Sequence, residues 1–406
     1  MIQIKPINTF KPNCVYCKKS LKQIALVWQG IHTLFEGFCP KCKSEFFVDL
    51  PVGHALNYPF VVDKKKWKLF GSAWAVKWFG NPLLASLKNP QEDVIEMVVE
   101  KKKSAKNIVI LNCLDYLYGH SLLKLLNAEK LIKNNKNLGL VVIVPEFLKW
   151  MVPRGVAEVW TVKLPLKKTQ NYYRDLNQQI NKQSSRFKRV YIAPAYSHSR
   201  DFQIQNFTNV LPHDFGSQKY RVTFIWREDR PWFFSDYLVY GAKKISFLMP
   251  LIWWQNIKIR VLFYLLKRKL PSAKLTVAGI GQRTRFPNWV DDVRFLRPSA
   301  QEEKRLCKIY AESRVVVGVH GSNMLLPSAH AGMVIDLLPD IKIGNIAQDV
   351  LYRPKPTDPR ILALTYRYLP ISVPMLTLVR TIVFMIGQRE EMFRNFLLQE
   401  QYERAV

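Results

Sequence analysis

The stretch "VVVGVHGSNMLLPSAHAGMVIDLLP", residues 315–339, holds two apolar, largely β-branched runs, 315–319 and 333–337. The first stops at His320-Gly321-Ser322-Asn323, and the second starts about a dozen residues later. Runs this short and this apolar read as buried strands, and the short connection predicts neighbouring parallel strands of an α/β sheet. The join then falls at the carboxyl edge of the sheet, where such folds bind ligands.

The same alternation extends outward in both directions. Upstream, "YRVTFIWRED" (220–229) and "AKLTVAGIG" (273–281) read as strands, and "NIKIRVLFYLLKRKL" and "QEEKRLCKIYAES" as helices. A second series precedes it: "NIVILNCL" (107–114), the amphipathic "GHSLLKLLNAEKLIKNN" (119–135), "GLVVIVP" (139–145), "EVWTVKLPL" (158–166) and "RVYIAPA" (189–195). Alternating strands and helices predict βαβ units. Residues 195–218 are polar and lack either period, as a connection between domains should.

With 406 residues and 48% hydrophobic side chains, the chain can bury a large core and has room for two or three domains. Its charge is less ordinary. Lys and Arg number 61 against 31 Asp and Glu, a net +30, which points to a polyanion, an anionic membrane face or a phosphorylated substrate. No apolar run spans a bilayer without a charge, and "MIQIKPINTFKPNC" lacks a basic segment followed by an apolar one. A cytoplasmic location is expected. The segment 371–387, interrupted by Pro374 and Arg380, reads as a buried or interfacial helix.

Cys14-x2-Cys17 and Cys39-x2-Cys42 flank about twenty residues of strand-forming character. Two such pairs can hold one tetrahedral ion, and four thiolates leave no open position for catalysis. A structural Zn2+ is expected, and no catalytic metal. Cys113 and Cys307 read as lone buried thiols. After the ribbon, Trp67, Phe70, Trp74 and Trp78 recur at helical spacing among Lys64, Lys65, Lys66, Lys68 and Lys77. Such a segment either lies on an anionic membrane or packs its aromatics on the next domain.

Three pieces resemble glycosyltransferase family 61 in the same order. "LYGHSLLKLLNA" (117–128) resembles that family's His-containing helix start, "VTFIWRED" (222–229) its strand ending in arginine, and the 315–339 stretch its strand, His-Gly-small-x-Asn loop and acid-bearing strand. The matches span about residues 108–345 and leave the ribbon outside. The resemblance implies a GT-B architecture of two Rossmann-like domains with a cleft between them, and inverting transfer from a UDP-sugar. Five segments are expected: a zinc ribbon (1–50), a basic aromatic connector (51–105), an acceptor domain (106–215), a nucleotide-sugar domain (216–360) and a helical C-terminal segment (361–406).

A diphosphate leaving group needs backbone N–H groups and a nearby arginine. The candidate donor-binding residues are Arg227, Gly279, Gly281, His320, Gly321, Ser322, Asn323 and Asp336. In this reading Gly321 permits close backbone approach, Ser322 or Asn323 caps the segment after the loop, and Asp336 holds a ribose or the loop itself. Inversion also needs a base for the acceptor hydroxyl, and His120 and Asp115 are the candidates. The expected partners are a nucleotide-sugar donor, a surface-polysaccharide or lipid-linked glycan acceptor and an anionic membrane face. P-loop, nucleophile-elbow, His-Glu-x2-His and Asp-x-Asp motifs are missing. Two other readings stay open: a zinc-ribbon nucleic-acid-binding protein and a non-catalytic sugar-binding module.

Overall fold

The computed structural model describes residues 1–199, 202–348, 350–351 and 359–403. The chain forms two compact units, Met1–Phe202 and Gln203–Val406, both of mixed α/β structure.

In the first unit, strands β1 (Ile2–Lys5), β7 (Met97–Lys101), β8 (Asn107–Asn112), β9 (Gly139–Pro145), β10 (Glu158–Val162) and β11 (Arg189–Ile192) form one sheet, ordered β1-β11-β8-β9-β10-β7. The four central strands are parallel, and β1 and β7 close the edges antiparallel. Strands β2 (Lys22–Trp28), β3 (Thr33–Phe38), β4 (Glu45–Asp49), β5 (Val61–Asp63) and β6 (Lys68–Phe70) make an antiparallel meander. Trp28 and Phe35 of the meander share a buried cluster with Cys14, Cys39 and with Ile108, Ile110 and Trp160 of the larger sheet. The small ribbon thus packs on the sheet and has no need of a core of its own.

Residues 64–82 depart from the helical expectation. Lys68–Phe70 is the last meander strand, and Trp67 sits in a turn at φ +50°. Only the segment from Ala73 onward is helical, and there Trp74 and Trp78 are exposed. Strand pairing outweighs the aromatic spacing because Val61, Val62 and Asp63 offer a ready antiparallel partner. Lys64 also finds acids across the sheet, 2.5 Å from Glu36 and 2.8 Å from Glu45.

The second unit is built on strands β12 (Tyr220–Arg227), β13 (Ala273–Ile280), β14 (Asp291–Asp292), β15 (Ser313–Val319), β16 (Met333–Leu338) and β17 (Tyr366–Pro370). All are parallel, in the order β14-β13-β12-β15-β16-β17. Renumbered from β12, this is the doubly wound order 3-2-1-4-5-6 of Rossmann folds. The quoted stretch supplies β15 and β16, paired with Val315 opposite Met333. Helix Met249–Lys269 and helix Met375–Glu403 contribute Ile252, Ile259, Leu378 and Ile382 to the same core as Val315, Val317 and Ile335. Strand order reverses between β12 and β15, so a crevice is expected at their carboxyl ends.

Candidate functional sites

The four cysteines of the ribbon converge. Cys14 Sγ lies 3.5 Å from Cys42 Sγ and Cys17 Sγ lies 3.4 Å from Cys39 Sγ, with all four sulfurs within 4.8 Å of one another. Sulfurs on a tetrahedral ion at about 2.3 Å would sit some 3.8 Å apart, so the set could bind a metal. Each pair is shaped by a tight turn. Lys18 and Lys43 adopt left-handed φ of 62° and 60°, and their N–H groups donate to the carbonyls of Cys14 and Cys39. Cys113 and Cys307 are buried and lie outside this set.

The second cluster lies at the carboxyl end of β8, where the first unit's own strand order reverses toward β11. Asp115 follows β8 and is fully buried. Its Oδ2 accepts hydrogen bonds from Lys124 Nζ at 2.8 Å and from His54 Nε2 at 2.7 Å, and its Oδ1 accepts one from the Leu117 N–H at 3.2 Å. Burial alone would raise the carboxyl pKa, but the Lys124 ammonium and the histidine contacts outweigh it and hold Asp115 well below the usual carboxylate range. His120, on helix Tyr118–Leu125, places Nδ1 3.5 Å from Asp115 Oδ1, and its side chain is 27% exposed.

His54 comes from the short 3-10 turn Gly53–Leu56 between β4 and β5 of the meander, and like Lys124 it was not among the residues picked out from the sequence. Burial pushes its pKa down to about 4, only partly opposed by Asp115. Its ring packs 4.3 Å from Phe79 and 4.9 Å from His120, with Tyr196 of the loop after β11 at 5.4 Å. Lys124 had a readable signal: with His120 it stands at i,i+4 in the helix, on the buried side that also carries Ser121 and Leu125. Asp115, a candidate base from the sequence, is thus buried among Lys124, His54 and the Leu117 N–H, with His120 on its Oδ1 side. The side-chain atoms of His54, Asp115 and His120 are close enough to share an ion, but Lys124 already supplies the positive charge beside that carboxylate.

The third cluster sits at the switch point of the second unit. Arg227 closes β12, pairs with both carboxylate oxygens of Asp229, and donates from Nη1 to Asn323 Oδ1 at 3.0 Å. Two of the sequence anchors therefore meet directly. Arg230 donates to the carbonyl of His320 at 2.6 Å. Gly321, at φ +147°, leaves the space in which the Arg230 guanidinium lies; a Cβ there would overlap it. Burial would raise the Asp229 carboxyl, yet Arg227, Arg230 and Lys243 together hold it low. Lys243 is itself depressed, first by burial and then by repulsion from Arg230, Arg227 and Lys342. Cations outnumber carboxylates here.

Several expected contacts take a different form. His320 and Asp336 are both buried, with His320 Nδ1 2.9 Å from Asp336 Oδ2, which also accepts from the Tyr366 hydroxyl at 2.7 Å. These contacts tie the start of the loop after β15 to β16 and β17. Neither Ser322 nor Asn323 caps a helix: the Asn323 amide donates to Val319 and its oxygen takes Arg227. The stretch 322–324 is a single 3-10 turn leading into helix Leu325–His330, so the backbone has no long helix to cap. At Gly279 a Cβ would strike the Trp226 carbonyl, and at Gly281 the left-handed φ of +106° and the nearby Glu228 side chain favour glycine. Among the described residues, no helix is long and apolar enough to cross a membrane.

No known protein-family profile matches this sequence, and no curated protein is significantly similar to it. Among solved structures, the chain is similar to the iron-containing dodecameric glycosyltransferase TibC from enterotoxigenic E. coli, at 12% identity and TM-score 0.30, over 63% of this chain and 65% of that one. TibC bound to ADP-D-β-D-heptose matches at 10% identity and TM-score 0.30, covering 63% of each chain. The chain thus spans less than two thirds of these proteins. The GtfA/B complex matches at 12% identity and TM-score 0.24, over 92% of this chain and 67% of that one.

Proposed function

We propose that this chain is an inverting glycosyltransferase of the GT-B kind that uses a UDP-sugar donor and a surface-polysaccharide or lipid-linked glycan acceptor. The observation that carries the reading is the switch point of the second unit, where Arg227 pairs with the carboxylate of Asp229 and reaches Asn323, Arg230 reaches the His320 carbonyl, and Lys243 adds a third positive charge nearby. A diphosphate entering there would replace that carboxylate and relieve the repulsion among the cations. The three stretches that resemble family 61 favour a sugar nucleotide over other phosphates.

In this mechanism the acceptor hydroxyl oxygen attacks the anomeric carbon. The bond from that carbon to the diphosphate oxygen breaks, and its electron pair leaves with the nucleotide. The hydroxyl proton needs a base, and His120 of the first unit, with its Nδ1 edge toward Asp115 and Nε2 on the opposite edge, is the candidate for that role. Asp115 orients the ring and stabilises the imidazolium as it forms, the division of labour found in Ser-His-Asp sites. His320 and Asp336 hold the loop, and Arg227 and Arg230 take the charge. A structural Zn2+ on Cys14, Cys17, Cys39 and Cys42 would stabilise the fold of the ribbon and supply no reaction chemistry. The site belongs to a protein working at the cytoplasmic face of a membrane.

The test is calorimetry with UDP and a transfer assay across UDP-sugars. His120→Ala is expected to keep UDP affinity and lose transfer. A panel in which no nucleoside diphosphate binds and no sugar nucleotide is consumed would overturn the reading. The net +30 and the cysteine knuckles favour nucleic-acid binding as the second reading, which predicts salt-sensitive binding to an oligonucleotide in its place.

A further inference from the structure

Between residues 237 and 290 the sequence contains ten Lys and Arg and no Asp or Glu. This same region carries an exposed apolar surface on the second unit. On helix Asp236–Lys244 and the turn behind it, Tyr237 is 80% exposed, Ile245 73% and Phe247 61%. On helix Met249–Lys269, Trp253 is 60% exposed, Trp254 47% and Tyr264 57%. That helix already buries Ile252, Ile259, Leu262 and Phe263 in the core, so it is apolar on its outer face as well as its inner one. Large aromatic side chains grouped on an outward helix surface mark a place where something docks.

Charge selects the occupant. Lys243, Lys244, Arg260, Lys267, Arg268 and Lys269 are exposed on the same two helices. A second copy docked through this face would bring like charges together. An anionic bilayer satisfies both features: indole and phenol rings enter the headgroup boundary while the cations meet lipid phosphates. Lys243, in the last turn of helix Asp236–Lys244, also feels the charges of Arg227 and Arg230, so the surface adjoins the switch-point cluster of the same unit. We infer that helices Asp236–Lys244 and Met249–Lys269 form a monotopic docking surface for anionic lipid, distinct from the tryptophans at 74 and 78. The inference does not depend on the transferase reading, since it rests on exposure and charge alone.

Flotation of the full chain with vesicles tests it. Binding to phosphatidylcholine mixed with phosphatidylglycerol is expected, with weaker binding to phosphatidylcholine alone and a decline with salt. Trp253→Ala with Trp254→Ala should lower the partition coefficient about tenfold or more, and Lys244→Glu, Arg260→Glu with Lys269→Glu should abolish the preference for the anionic lipid. These side chains are exposed, and an unchanged melting curve confirms that each variant folds. Brominated lipid should quench tryptophan fluorescence in the parent and less in the double variant. Vesicle binding equal to the parent in both variants would overturn the assignment. So would absence of vesicle binding by the parent, with or without oligonucleotide binding, or a dimer in sedimentation that the tryptophan variant dissolves.

Discussion

Lys124 Nζ stands 2.8 Å from Asp115 Oδ2, and the two side chains are 1% and 0% exposed. A buried pair of this kind resists loss of either partner more than loss of both, because a single deletion strands a charge in a low dielectric. Lys124→Met should cost about 3–5 kcal/mol in a urea melt, and Asp115→Leu added to it should recover part of that loss. A double-mutant cycle with no coupling would show that the pair is not interacting.

His54 ties stability to pH. Its folded pKa of about 4 lies below the ordinary value of 6.5, so between these the unfolded chain binds a proton that the folded chain does not. The contribution is complete above about pH 6.5 and is lost as pH falls toward 4, a total of about 3 kcal/mol. Asp115 adds its own loss only at lower pH, since its carboxyl is held well below the usual range. His54→Gln keeps a donor toward Asp115 and removes the titration, so its stability should be flatter across this window in parallel denaturant melts.

The switch point gives a prediction about binding. Arg227→Ala removes a charged donor from Asn323 and from any bound anion, which at about 1.5–3 kcal/mol weakens UDP roughly ten- to hundredfold. Gly321→Val should act through Arg230, pushing the guanidinium off the His320 carbonyl and weakening UDP by a similar factor. Calorimetry on each variant reads this directly, and UDP affinity unchanged in both would leave the loop as simple sheet punctuation.

For the cysteine cluster, one metal ion per chain is expected by elemental analysis of reduced protein. Cys17→Ser or a strong chelator should lower the melting temperature while leaving the choice of sugar donor unchanged. Protein free of metal that melts at the same temperature as the metal-loaded form would contradict a structural ion.

The alternating strands were legible because buried parallel strands must be continuously apolar: 139–145 and 313–319 are buried along almost their whole length. Legible too was the meeting of Arg227 with the 320–323 loop, since parallel order places the carboxyl ends of β12 and β15 side by side. Edge strands were not. β1 and β7 are four and five residues of mixed polarity, and only their antiparallel partners make them strands. His54 was hidden for a related reason: it stands 61 residues from Asp115, in a turn with no periodic signal of its own. Arg230 and Lys243 lie in a stretch whose charges read as solvated until the fold gathers them round Asp229.

The edge strand β1 also sets an order of events. Ile2 pairs with Ile192, so the sheet of the first unit closes across a separation of roughly 190 residues. At synthesis rates of about 5–20 residues per second, Ile2–Lys5 waits on the order of 10–40 s for its partner to be made. Over that interval the cysteine knuckles next in the chain after β1 exist without the sheet that buries them. Such long-range closure is slow to nucleate and exposes unpaired strand edges while it waits. Metal captured early by the nascent knuckles would hold the leading segment compact until β11 emerges.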